Sequence, residues 1–154
     1  MSFCFIILAG GNSHRFRSNL GKPYQKIGGK SLIEINIEKL RKVREIKKII
    51  VVYNKKDAIR VNSLKLKNVK LIVGGKNRQQ SAFNALKYLT KNKVATKVLI
   101  HDVARPNFSL KLLNAIITQM KNSRAVVPKI HINDAVKQKI DSSLNEYILG
   151  KNRD

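Results

Sequence analysis

Two apolar runs, each ending abruptly in a polar turn, constrain this chain more than any other feature. Phe3-Cys4-Phe5-Ile6-Ile7-Leu8 opens into Ala9-Gly10-Gly11-Asn12-Ser13-His14-Arg15, with Lys22 seven residues further on. Much later, Val98-Leu99-Ile100 stops at His101-Asp102-Val103-Ala104-Arg105-Pro106. Short uninterrupted apolar runs of this kind are what strands buried on both faces of a parallel sheet require. In open α/β sheets ligands sit outside the carboxyl ends of the strands, so both turns are expected to face one crevice.

The rest of the pattern alternates accordingly. Residues 31–43 carry apolar side chains at roughly helical spacing, with Ser31 as N-cap and Glu34 completing a capping box. Residues 48–53 are expected to form a second strand, 55–62 a short helix and Val69–Val73 a third strand ending in Gly74-Gly75. Residues 78–91 fit an amphipathic helix with Ala82, Phe83, Leu86 and Leu89 on its apolar face. A fourth strand is expected at 97–101. The helix at 109–121 has an apolar stripe of Leu112, Leu113, Ile116, Ile117 and Met120, and Ala125-Val126-Val127-Pro128 follows as a fifth strand. Repeated β–α units favour an α/β fold: a Rossmann-like, mostly parallel sheet with helices on both faces. Beyond Pro128 two short strands, Ala135–Ile140 and Glu146–Leu149, fit a hairpin turning at Asp141-Ser142-Ser143, a small β-arm over about 135–150 near the C-terminus. A length of 154 residues suits a single domain over 1–154. A lone hairpin is marginal in water unless it packs on something, so the arm points to a homodimer.

Composition narrows the function classes. No apolar run approaches the roughly 20 residues of a membrane span, and residues 3–9 lack the basic leader of a secretory signal. The lone cysteine, Cys4, lies inside an apolar strand, which fits a buried thiol and a cytoplasmic setting. The net charge of +23 would ordinarily point to nucleic acid. Yet the cations are 23 Lys and 9 Arg spread along the chain, aromatics are few and Trp is absent. Nucleic-acid recognition leans on clustered Arg and stacking rings. A solvated lysine surface is the better reading, one whose field still draws nucleotides and sugar phosphates.

Three segments carry the chemistry. The first is Gly10-Gly11 after a strand, where backbone N–H groups can approach a phosphate, followed by the Arg15 fork and the compact Lys22 charge. By itself it is equally an ordinary strand-to-loop turn, being neither a dinucleotide fingerprint nor a Walker A loop. The second is Gly74-Gly75-Lys76-Asn77-Arg78-Gln79-Gln80-Ser81, in which Arg78 and Ser81 share one face at a helix N-terminus. A capped helix start with a solvated Arg is the plainer alternative. The third is His101–Pro106: Asp102 can accept from sugar hydroxyls or help hold Mg²⁺, and Arg105 can pair with a phosphate or with Asp102. His101 has no second metal ligand at suitable spacing and reads as structural. No Ser–His–Asp, Cys–His or paired-carboxylate arrangement is visible. Cations dominate, which suits phosphoryl or nucleotidyl transfer, where the protein positions two anions and stabilises charge on phosphorus.

In order and spacing these segments resemble the sugar-alcohol-phosphate cytidylyltransferases of the GT-A-like nucleotidyltransferase superfamily, and among them the 2-C-methyl-D-erythritol 4-phosphate cytidylyltransferase family. That family carries Ala-Ala-Gly-x-Gly-x-Arg after a strand, Pro-Lys-Gln-Tyr, Gly-Gly-x-x-Arg-x-x-Ser at a helix start, and His-Asp-Ala-Ala-Arg-Pro. Here they stand as Ala9–Arg15, Gly21-Lys22-Pro23-Tyr24, Gly74–Ser81 and His101–Pro106. The resemblance implies transfer of a cytidylyl group from CTP to the methylerythritol phosphate, with Mg²⁺ as cofactor and pyrophosphate released, in isoprenoid precursor biosynthesis. It implies that Arg15 and Lys22 stabilise the α-phosphorus. It places Ala9, Gly10, Gly11, Gly75, Arg78 and Ser81 around the cytidine and phosphates. Asp102, Ala104 and Arg105 would meet the ribose and acceptor, and Asp102 the metal. Ala135 falls in the acceptor-binding Asp-Thr-x-Lys segment, where it replaces the Thr, and Ser13 replaces a loop glycine. Arg153 matches an arm arginine that reaches the acceptor phosphate across a dimer interface. The family pattern runs on past the position of Asp154, so the likeness is to a C-terminally short version. Ribitol-5-phosphate cytidylyltransferases share these motifs and offer the alternative acceptor; a non-catalytic nucleotide-binding homologue is the other reading.

Overall fold

A computed structural model describes residues 2–11, 21–129, 136–139 and 146–149. Two compact units are formed, Met1–Arg124 and Ala125–Asp154.

The first unit is built on a four-stranded sheet, β1 (Phe3–Ala9), β4 (Ile46–Tyr53), β5 (Val69–Val73) and β6 (Lys97–Asp102), in the order β5-β4-β1-β6. All three pairings are parallel. β1 lies between β4 and β6, and all seven of its side chains are buried. The uninterrupted apolar sequence is thus explained by neighbours on both sides and cover on both faces. Cys4, Ile6 and Leu8 point to one face, where with Ile50 and Val52 they meet Ala85 and Leu89 of α3 (Arg78–Asn92). The alternate residues point the other way, where the Phe5 ring sits 5.7 Å from His101 and 6.2 Å from Phe108. Burial pushes the Cys4 thiol up to about 12, against a smaller opposing effect of Lys48, so it is an inert core group.

Register decides where the site lies. Ala9 pairs with Tyr53, Tyr53 with Val73, and Leu8 with Asp102. The four strands therefore end almost level, and their outgoing loops start from one edge. From β1 the chain moves outward to β4 and β5, then crosses back to β6 on the far side of β1. The switch point between β1 and β6 is where an open sheet leaves a crevice.

Helix α1 (Leu32–Arg41) follows a two-residue hairpin, β2 (Lys26–Ile27) with β3 (Lys30–Ser31). Its turn, Gly28-Gly29, has φ of +58° and +80°, which only glycines supply in succession without strain. Ser31 caps α1: its hydroxyl accepts the Glu34 N–H, and the Glu34 carboxylate accepts from the Ser31 N–H at 2.8 Å. The buried stripe is Leu32, Ile33, Asn36, Ile37 and Leu40, as the periodicity requires, with one polar member. The short helix after β4 begins as a 3₁₀ turn, Lys55–Asp57, and continues as α2 (Ala58–Ser63).

Several expectations are corrected. In α3 the buried stripe is Ser81, Ala85 and Leu89, and Phe83 is 57% exposed. Two residues on from Ser81 is about 200° round the helix, the far side from the sheet. In α4 (Leu110–Asn122) Leu113, Ile117 and Met120 are buried, whereas Leu112 is exposed and Ile116 half-buried. Strand β6 runs one residue further than expected and takes Asp102 into the ladder. Ala125–Pro128 is not a strand: apolar letters make one only where a neighbouring backbone completes the ladder, and among the described residues none does.

In the second unit β7 (Val136–Lys139) and β8 (Glu146–Leu149) pair antiparallel, Val136 opposite Leu149 and Lys139 opposite Glu146. This is the expected hairpin; its turn at 141–143 lies outside the described residues.

Candidate active site

Loops from the level strand ends enclose a cleft of about 600 Å³. From the β1 side come Ala9, Gly10 and Gly11; from the turn before the hairpin come Lys22 and Pro23. The β4 loop gives Asn54, the α3 start gives Gly75, Lys76, Asn77, Arg78 and Ser81, and the β6 loop gives Asp102, Val103, Ala104 and Arg105. Of the candidate residues within the described segments, every one lines this cleft. Arg15, Ala135 and Arg153 lie outside the described residues.

Each wall is held by local chemistry. The Asn54 amide donates to the Gly10 carbonyl at 3.3 Å, and its oxygen accepts the Lys56 N–H. The residue that follows β4 thus fixes the glycine turn beside it. Lys22 opens a short 3₁₀ turn, Lys22–Tyr24, whose Pro23 and Tyr24 are buried. Burial, and then the nearby Asp57 carboxylate, hold the Tyr24 phenol above its ordinary range.

The α3 start is tight. The Ser81 hydroxyl donates to the Asn77 carbonyl at 2.8 Å and accepts the Gly75 N–H at 3.1 Å. Asn77 caps the helix by accepting the Gln80 N–H at 2.8 Å. A Cβ on Gly75 would come within 2.0 Å of Gln80 Cγ and 3.2 Å of its carbonyl carbon, so glycine here answers a close approach. Ser81 is therefore committed to shaping the loop as well as lining the cleft.

Across the cleft Arg78 Nε donates to Asp102 Oδ1 at 3.0 Å, and Arg105 Nε stands 3.8 Å from Oδ2. Both guanidinium groups are well exposed, so these pairs contribute at most about 1 kcal/mol each and leave both cations open to an incoming anion. His101 Nε2 bonds the Arg105 carbonyl at 2.9 Å. That partner can only accept, so Nε2 carries the proton. Burial against Phe5 and Phe108 holds the imidazole below its ordinary range, outweighing the raising effects of the Arg105 carbonyl and Asp102.

Electrostatically, four cations (Lys22, Lys76, Arg78 and Arg105) face one carboxylate, Asp102, among the described lining residues. Among the described residues no three His, Cys, Asp or Glu side chains come together to cage a metal. Asp102, whose Oδ2 is 3.8 Å from Arg105 Nε, is the one carboxylate among the described lining residues that could help hold a divalent cation. The cleft is thus rich in cations, with a single carboxylate among its described lining residues.

A sequence profile of the 2-C-methyl-D-erythritol 4-phosphate cytidylyltransferases matches residues 3–148. The chain belongs to that family. Among curated family relatives it is 47% identical over 144 residues to the bifunctional enzyme IspD/IspF of Pelagibacter ubique, covering 94% of this chain and 38% of that protein. It is 33% identical over 150 residues to the 2-C-methyl-D-erythritol 4-phosphate cytidylyltransferase of Clostridioides difficile, covering 94% of this chain and 62% of that one. The chain therefore spans less than two thirds of either relative. The crystal structure of the 4-diphosphocytidyl-2C-methyl-D-erythritol synthase of Anaerococcus prevotii superposes with a TM-score of 0.77 at 30% identity, over 98% of this chain and 63% of that one. The cytidylyltransferase family resemblance in the four motifs is thereby confirmed as kinship.

Among the lining residues, Asn54 alone lies outside every segment the sequence singled out, while Leu8, Pro23, Lys76, Asn77 and Val103 stand inside such segments with no site role assigned to them. Asn54 sits in a lysine-rich stretch with no motif around it, and only the level strand ends bring it to Gly10. Lys76 and Asn77 lie between residues already singled out, and the helix-cap preference of Asn was the available signal for the latter.

Proposed function

We propose that this chain transfers the cytidylyl group of CTP to 2-C-methyl-D-erythritol 4-phosphate and releases pyrophosphate, in isoprenoid precursor biosynthesis. A phosphate oxygen of the acceptor attacks the α-phosphorus of CTP. The bond from that phosphorus to its bridging oxygen breaks, and pyrophosphate leaves with the electron pair. No general base is required, because the acceptor phosphate is already an anion. What the protein supplies is alignment and positive charge.

Lys22, with Arg15, stabilises charge accumulating on the α-phosphorus. Ala9, Gly10, Gly11, Gly75, Arg78 and Ser81 surround the cytidine and its phosphates. Asp102, Ala104 and Arg105 meet the ribose and the acceptor, and Ala135 lies beside the acceptor. Arg153 reaches the acceptor phosphate from the arm of a homodimer partner. Asp102 is the residue that would hold Mg²⁺, and the ion would supply neutralisation of the triphosphate charge. A cytoplasmic setting accords with the buried, unoxidised role of Cys4, and the lysine surface serves as a field for small anions and not as a nucleic-acid platform.

The observation that supports this reading most is the meeting of Lys22, Arg78, Asp102 and Arg105 with the Gly10-Gly11 turn in one cleft. The test is pyrophosphate release from CTP and Mg²⁺ with each candidate alcohol phosphate. Release with the methylerythritol phosphate is expected. Release with ribitol 5-phosphate alone would reassign the acceptor, and release with neither would leave a nucleotide-binding protein without catalysis.

A further inference from the structure

Helix α1 contains a buried polar residue that packing alone does not explain. Asn36 is fully buried among Ile33, Ile37 and Leu40. Its amide nitrogen donates to Leu32 O at 2.7 Å and, 67 residues away in sequence, to Val103 O at 3.2 Å. Its Oδ1 has no partner among the described residues. A leucine would fill such a place at lower desolvation cost, so the compensating effect must lie in what the amide holds. One turn on, Lys39 Nζ donates to Pro106 O at 2.6 Å and to Phe108 O at 3.3 Å, and stands 5.3 Å above the Phe108 ring.

The segment so held carries Asp102, Ala104 and Arg105 into the cleft. It belongs to no helix, and its carbonyls are nonetheless accounted for nearly one by one. Asp102 O accepts from Arg105 N–H, Val103 O from Asn36, Arg105 O from His101, and Pro106 and Phe108 O from Lys39. The other end of α1 grips the opposite wall: Leu32 N–H donates to Gln25 O at 3.1 Å, in the turn that presents Lys22.

We propose that α1 is a strut across the site, and that Asn36 and Lys39 are positioning residues which fix Asp102 and Arg105 relative to Lys22. The proposal deepens the cytidylyltransferase reading and, for its kinetic consequence, rests on it. Neither side chain lines the cleft; they act through the backbone of the loop.

The test compares Asn36→Leu, Lys39→Met and Lys39→Arg with the unaltered chain, in two arms. In hydrogen–deuterium exchange, the first two variants are expected to raise exchange in peptides spanning residues 99–109 while β1 and α3 peptides keep their protection. Lys39→Arg, which can still donate to both carbonyls, is expected to restore it. In the pyrophosphate assay the acceptor KM is expected to rise about tenfold, well within the cost of ångström-scale misplacement, with kcat changed far less. Uniformly raised exchange, or a lowered melting temperature with KM and the 99–109 peptides unmoved, would overturn the proposal and leave ordinary core packing. Lack of pyrophosphate release by the unaltered chain would count against the reaction, while the exchange arm would still decide for or against the strut.

Discussion

Asp102 and His101 are adjacent letters with opposite fates, and strand alternation is the cause. Asp102 ends β6 facing the cleft and its two guanidinium partners, while His101 turns into the Phe5–Phe108 layer. Because burial holds the folded His101 below its ordinary range, the unfolded chain binds the extra proton first. The stability this neutral histidine contributes is complete above the ordinary range near 6.5 and is lost as pH falls through that window. Between about pH 7.5 and about pH 5.5 the melting temperature should fall more for the natural chain than for His101→Gln, which keeps a donor but does not titrate. Equal slopes would show that His101 is not the titrating group. Gly75 gives a second residue-scale prediction. Gly75→Ala drives a methyl into Gln80, and the 3.2 Å approach to backbone means that rotating the Gln side chain is not a full remedy. Urea denaturation should show a loss of about 1–3 kcal/mol, with CTP stabilising the variant less.

At the level of elements, periodicity found the core strands and helices because burial writes directly into spacing. The β1 run, the α1 stripe and the β5 bounds all follow from it. It misplaced Phe83 and Leu112 because an apolar side chain on the wrong arc of a helix costs little when left wet, so composition overstates the buried face. Ala125–Pro128 failed for a different reason: a strand is a pairing, and local letters do not name the partner. The Gly28-Gly29 hairpin was legible in principle, since two glycines flanked by short extended segments are a turn signal. The capping box of α1 offers a direct test. Desolvation pushes Glu34 up, but its Ser31 hydrogen bonds and Lys26 and Lys30 outweigh that and hold it below the ordinary glutamate range. Its contribution is therefore present above about pH 4.3 and disappears as acid carries the solution through the folded value. Ser31→Ala should cost about 1 kcal/mol near neutral pH by denaturant unfolding, and the gap to the natural chain should narrow in acid.

For the molecule as a whole, the site was legible as four motifs and not as a structure. Ala9–Gly11, Lys22, Gly75–Ser81 and Asp102–Arg105 could be picked out because glycine pairs, helix starts and strand ends each leave a local mark. Asn54 and Asn36 could not, since their contacts span 44 and 67 residues and exist only once the sheet register is set. The net charge of +23 acts at this scale too. If it gathers anionic substrate, added salt should raise the KM for CTP while leaving kcat nearly constant; a salt-independent KM would confine the electrostatics to the cleft. The most direct measurement is pyrophosphate release from CTP, Mg²⁺ and 2-C-methyl-D-erythritol 4-phosphate by the natural chain beside Lys22→Ala. Steady release by the first and none by a variant with an unchanged melting temperature is expected. Undiminished release after loss of Lys22 would contradict the cationic-cleft mechanism.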